Sequence, residues 1–207
     1  MLQEEKFWQW FEKHQSEYLD LDDLNEQRKV LLLDQLLNQL HEYCGGLYYQ
    51  IGGTPFKERR ELVISAEGNL EYFEAVEKLV SAAPEIYNWK VIAFKQPMGT
   101  DFVTEYGELV LDPKKMWFLP LNNEQDPKMI GIKICIDNYD PNNARKFKQA
   151  VYQILDAILG EKATATELNY LDVGTLSDYD PEKDGLIELV ELPKYITWKK
   201  GKARRYP

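Results

Sequence analysis

An α+β fold, with a helical pair leading a mainly antiparallel sheet, is predicted by three features of the sequence. Aromatic residues at helical spacing open the chain. From residue 47 onward, short β-branched and aromatic runs alternate with Gly, Pro, Asn and Asp clusters. Two amphipathic patterns, near Leu70 to Ala83 and Asp140 to Leu159, each lie between two such runs.

The first helix follows from Phe7, Trp8, Trp10, Phe11, His14 and Tyr18, which recur at helical spacing with charges between them. Asp20 to Asp23 supplies a break and N-cap region. A second helix is expected from about Leu24 to Tyr43. Its centre, Val30 to Leu37, is apolar on most of its circumference, which predicts burial on more than one side. Gly45-Gly46 then stops it. Strands are expected at Leu47 to Ile51 and Glu61 to Ser65, antiparallel to each other, the first closed by Gly52-Gly53-Thr54-Pro55. The helix after Asn69 turns Phe73, Val76, Leu79 and Val80 inward, and Pro84 lies past its end. Trp89 to Phe94, Glu108 to Leu111, Met116 to Leu121 and Met129 to Ile136 read as strands, with a polar turn from Asn122 to Pro127. Pro141 opens a helix whose inner stripe is Phe147, Val151, Ile154, Leu155 and Ile158, ended by Gly160. Leu168 to Leu176 is the last strand, interrupted by Gly174. The remainder reads as loop, with a short helical piece near Leu186 to Val190.

Two β-α-β units emerge, 61–94 and 129–176, which suggest ferredoxin-like elements within one split sheet. The two units share no close sequence repeat, so the duplication is topological. Short connections predict one domain over 1–193, made of a helical pair (1–45) and a sheet with helices (46–193), then a basic tail over 194–207.

The net charge of -10 conceals an asymmetry. Six of the 25 basic residues lie in 194–207 with no acid, leaving 19 against 35 acids, a charge near -16 for the rest. Such a body repels phosphates, so nucleic acid is not an expected partner. No basic, apolar leader opens the chain and no apolar run spans a bilayer, which predicts a cytoplasmic protein without a membrane partner. Cys44 and Cys135 read as reduced core thiols.

The common nucleotide, nucleophile and zinc signatures are absent, and no metal or cofactor is expected. His41 and Cys44 share a helix face without a second ligand cluster. Asp180 to Glu191 matches the spacing of a calcium-binding loop, with acids at loop positions 1, 3, 5, 9 and 12 and Gly185 at 6. Its flanks speak against that reading: a strand with Gly174 leads in, and Pro193 is expected to prevent an exiting helix. Glu67 and Asn69 lie in a strand-to-helix turn of the kind that hosts ligands, although Glu67 is itself an anion. Glu161, just past a helix C-terminus, faces the negative end of the dipole and calls for a cation such as Lys162 or Lys95. Phe7, Trp8, Trp10 and Phe11 cover two helical faces, which offers either a packed first helix or an interface for a partner.

The segments Phe7 to Phe11, Leu62 to Asn69, Ala83-Pro84 with Trp89 to Phe94, and Leu155 to Glu161 resemble a family of conserved bacterial cytosolic proteins of unassigned function. The resemblance implies a bacterial source and transfers no activity.

Missing catalytic signatures, an acidic body and an aromatic first helix favour a non-enzymatic interaction or regulatory domain, such as an adaptor or an immunity protein. Its partner would have a basic surface or be a second copy. The alternative is an enzyme or small-ligand binder whose site is assembled from Glu67, Lys95 and Glu161.

Overall fold

The structure, a computed structural model, describes residues 2–53, 59–123, 125–126 and 128–205. Thr54 and Pro55 of the first expected loop, Glu124 and Pro127 of the polar turn, and Met1, Tyr206 and Pro207 lie outside the described residues. Two compact units make up the chain, Met1–Lys95 and Gln96–Pro207. The division falls inside the 46–193 stretch that the sequence reading kept whole.

The first unit begins with α1 (Gln3–His14) and a 3₁₀ turn, Gln15–Tyr18. Helix α2 (Glu26–Tyr43) starts at Asn25, whose side chain accepts the Arg28 N–H. The expectation that α2 is buried on more than one side is corrected. Leu32, Leu36 and Leu40 form one buried stripe, while Val30 and Leu31 are exposed. The run of leucines exceeds what one packed face can cover. Strands β1 (Tyr48–Gly52) and β2 (Arg60–Ser65) pair antiparallel, and β2 pairs parallel with β3 (Trp89–Ala93) across α3 (Phe73–Ser81). Phe73, Val76 and Leu79 of the expected inner stripe are buried.

Polar tips of aromatic side chains tie these elements together. The Trp8 indole donates to Leu79 O at 2.8 Å, joining α1 to α3. Hydroxyls of Tyr18, Tyr43 and Tyr49 donate to Leu32 O, Ala75 O and Leu33 O. Trp8 and Tyr18 are thus buried, and Tyr43 and Tyr49 partly buried, without stranding their polar atoms.

The second unit opens with a hairpin of β4 (Thr104–Tyr106) and β5 (Leu109–Leu111). A four-stranded sheet follows in the order β8-β7-β6-β9, from β6 (Trp117–Leu121), β7 (Gly131–Ile136), β8 (Tyr170–Thr175) and β9 (Ile187–Glu188). Strand β7 pairs antiparallel with β6 and parallel with β8, and α4 (Ala144–Leu159) forms the crossover. Ile132, Ile134 and Ile136 recur every second residue against the α4 stripe of Phe147, Val151, Ile154, Leu155 and Ile158. Gly174 does not interrupt β8, which runs through it; a Cβ there would meet only the flexible end of the Lys133 side chain. Helix α5 (Glu161–Glu167) follows α4 directly, and α6 (Leu192–Arg205) ends the described chain.

Both expected β-α-β units are present, but in two separate sheets and not in one split sheet. Each unit carries the same order: two antiparallel strands, a helix, and a third strand parallel to the second. The helix entries also correspond. Asn69 and Asp140 each cap a 3₁₀ turn by accepting the N–H two residues on, from Glu71 and Asn142. Two residues before each cap stands a left-handed residue, Glu67 (φ 50°) or Asn138 (φ 57°).

The expected loop over the C-terminus is corrected. Residues 194–205 of the basic tail belong to α6, and Pro193 is its second residue. The N–H that proline lacks would have no intrahelical acceptor in a first turn, so Pro193 starts this helix and does not block it.

Candidate functional site

The second unit carries a shallow, open groove of about 580 Å³ between the outer edge of β6 and one face of α6. Pro120, Asn122 and Ile187 line the sheet side; Tyr195 and Trp198 line the helix side. Glu191 and Lys194, paired at 2.8 Å, stand at the rim. The helix sits there because Leu189, Leu192 and Ile196 are drawn into the core beneath the sheet. Burying that stripe turns Tyr195 and Trp198 toward the groove.

Strand β9 pairs only with Trp117 and Phe118 of β6, so Leu119 to Leu121 have no strand partner on that side among the described residues. Trp198 is 56% exposed. Its ring lies 5.9 Å from that of Tyr195 at 38°, and the Lys202 ammonium sits 4.8 Å over it. Tyr195 in turn meets Phe118 edge-on at 5.2 Å. Burial raises the Tyr195 phenol above its ordinary value and lowers the ammonium of Lys199, which lies 6.0 Å from the Tyr195 ring. Neither the Tyr195 hydroxyl nor the Trp198 indole N–H bonds another described residue. Two donors and an apolar floor can therefore receive an extended ligand that offers acceptors.

In the first unit, Glu67 and Lys95 come together as an ion pair at 2.8 Å, near the carboxyl ends of parallel β2 and β3. Ser65 Oγ accepts the Glu67 N–H at 3.0 Å, and Asn69 acts as a helix cap. Phe94, beside Lys95, holds φ 62°, a costly value for a bulky residue. Glu161 belongs to the second unit. It is fully buried just past the C-terminus of α4, as expected, and it also opens the first turn of α5, so the negative end of one helix and the positive end of the next both lie beside it. Gly160 ends α4 and starts α5 in one step, which the sequence reading missed.

Of the four rings read as a possible interface, Phe7, Trp8 and Phe11 are corrected to core residues. Phe11 packs edge-on against Trp89 at 5.1 Å. Only Trp10 remains partly exposed, stacked on His14.

The acids of Asp180 to Glu191 do not converge. Asp180 pairs with Lys183, Asp184 accepts the Asp180 N–H, Glu188 lies in β9 and Glu191 pairs with Lys194. No group of three or more His, Cys, Asp or Glu side chains is arranged to hold a metal among the described residues. Both cysteines are free, and burial pushes the Cys135 thiol up, which disfavours the reactive thiolate. No described helix is long and apolar enough to cross a membrane.

Sequence reasoning missed Tyr195 and Trp198. Leu189, Leu192, Ile196 and Lys199 at helical spacing carried the signal, obscured by the weight given to Pro193. No protein-family model, curated protein or solved structure matches the chain.

Proposed function

We propose that this protein is a non-enzymatic protein-interaction or regulatory domain of the bacterial cytosol, of the adaptor or immunity-protein kind. The observation that carries the reading is the groove beside β6, where an exposed Trp198 and a half-buried Tyr195 face an uncovered sheet edge. Aromatic side chains of this kind supply large contact area with few rotors to immobilise, which is why they dominate binding hot spots. The strongly acidic remainder of the chain adds a second, salt-sensitive attraction toward a basic partner surface or a second copy.

An unbiased peptide-display selection on the full chain tests this reading. Enrichment of sequences that lose binding on Trp198→Ala supports it. A selection whose enriched sequences ignore that substitution, or that enriches nothing, refutes it.

A second reading is favoured by the Glu67–Lys95 pair. An acid and an amine meet at the carboxyl ends of two parallel strands, next to two left-handed residues. That arrangement suits a small-ligand or acid/base site. It predicts a metabolite whose thermal shift on the full chain is lost in Glu67→Gln and Lys95→Met. Shifts that survive both substitutions remove it.

A further inference from the structure

We infer that the groove takes an acidic, proline-containing segment of a partner protein, bound as an extended polyproline II stretch; this rests on the interaction reading above. Three observations select that occupant.

The first is the sheet edge. The uncovered stretch of β6 contains Pro120, which has no N–H to donate. A strand added there would lose a ladder bond at the centre of the exposed edge, so β-strand addition is disfavoured. An occupant that needs no backbone ladder fits better.

The second is the donor set. A polyproline II stretch has no internal hydrogen bonds, and its carbonyls stay available. Tyr195 and Trp198, each with a donor on its ring system, line the groove together with Pro120 and Ile187. Pyrrolidine rings pack on such aromatic faces with little conformational entropy left to lose. From Leu192 to Lys202 the rise of α6 is about 15 Å, which matches roughly five residues of polyproline II.

The third is charge. Lys194 and Lys202 stand one turn to either side of Trp198, and α6 carries no acid. Lys202 has an aromatic ring, and no carboxylate, as its neighbour among the described residues. Lys194 is already paired with Glu191 of the lining at 2.8 Å, so the charge offered to a segment flanked by Asp or Glu comes from Lys202 beside Trp198 and from a helix whose own residues include no acid.

Three fluorescein-labelled peptides test the proposal against the full chain by anisotropy. One is Glu-Glu-Pro-Leu-Pro-Pro-Leu-Pro-Glu-Glu, one replaces every Pro by Ala, and one replaces every Glu by Lys. The acidic proline peptide is expected to bind with Kd on the order of 10–100 μM, weakening as salt rises. Trp198→Ala and Lys202→Glu, both at exposed positions, are each expected to weaken it about tenfold, as are the two peptide changes. Circular dichroism establishes that both variants are folded. Failure of the acidic proline peptide to bind overturns the proposal, as does equal binding of the alanine or lysine peptide. Binding that survives Trp198→Ala, or that tracks self-association in sedimentation, overturns it too. The display selection reports separately: a groove-directed consensus without proline or acid keeps the interaction reading and removes only this occupant.

Discussion

Tyr18 illustrates how single residues bind the first unit together. Its ring lies between the first two helices and its hydroxyl reaches Leu32 O at 3.0 Å. Burial, helped by Glu17, raises its pKa from 10.0 to about 12; burial and Glu4 do the same for Tyr43. Unfolded chains release these protons first. Between about pH 10 and 12 the folded state therefore holds more protons, and stability falls as pH rises. The stabilisation is complete below pH 10 and lost as pH passes through about 12. Tyr18→Phe is expected to cost about 1 kcal/mol at neutral pH and to flatten part of the alkaline loss. Urea unfolding at neutral pH and near pH 11 measures both. Phe11→Ala, at a fully buried site against Trp89, is expected to cost about 3–5 kcal/mol in the same experiment.

At the scale of elements, two matched helix entries permit a controlled comparison. Asn69→Ala removes a neutral cap and is expected to cost about 1 kcal/mol at any pH. Asp140 also caps, but its carboxyl is held below the ordinary range by the Asn142 N–H and the Asn143 side chain. The contribution it makes is present above the ordinary Asp pKa and is lost as pH falls through the lowered one. Asp140→Ala should therefore destabilise at neutral pH and lose its effect in acid, as thermal melts across pH would show. Gly201 lies inside α6 with nothing within 4 Å of a would-be Cβ, so Gly201→Ala is expected to raise the melting temperature by removing about 1 kcal/mol of helix cost. Gly46 is the opposite case, because a Cβ there would enter the Tyr72 ring. The inner stripes of α3 and α4 were legible because one buried face imposes a period on the sequence. Strand β9, with two residues, is too short to show a period, and α6 was hidden by reading Pro193 as a stop. The groove was illegible for a further reason. Pro120 and Trp198 line one groove through the pairing of β9 with β6, a long-range arrangement that spacing along the chain does not encode.

At the scale of the molecule, each unit has its own sheet, helix layer and core. Residues 1–95 expressed alone are expected to unfold cooperatively with heat, with the near-ultraviolet signal of the Phe11–Trp89 contact intact. A featureless melt would show that this half needs the rest of the chain. The strand-strand-helix-strand order shared by the two units also bears on how the chain is made. All strand pairs of the first sheet lie within 48–93, and none waits for a residue beyond Lys95. A ribosome therefore releases a full set of partners for the first half while it is still translating the second. Both neighbours of the hydrophobic strand β2 are synthesised before the isoleucines of β7, so β2 can be paired on both sides before that second apolar strand leaves the ribosome.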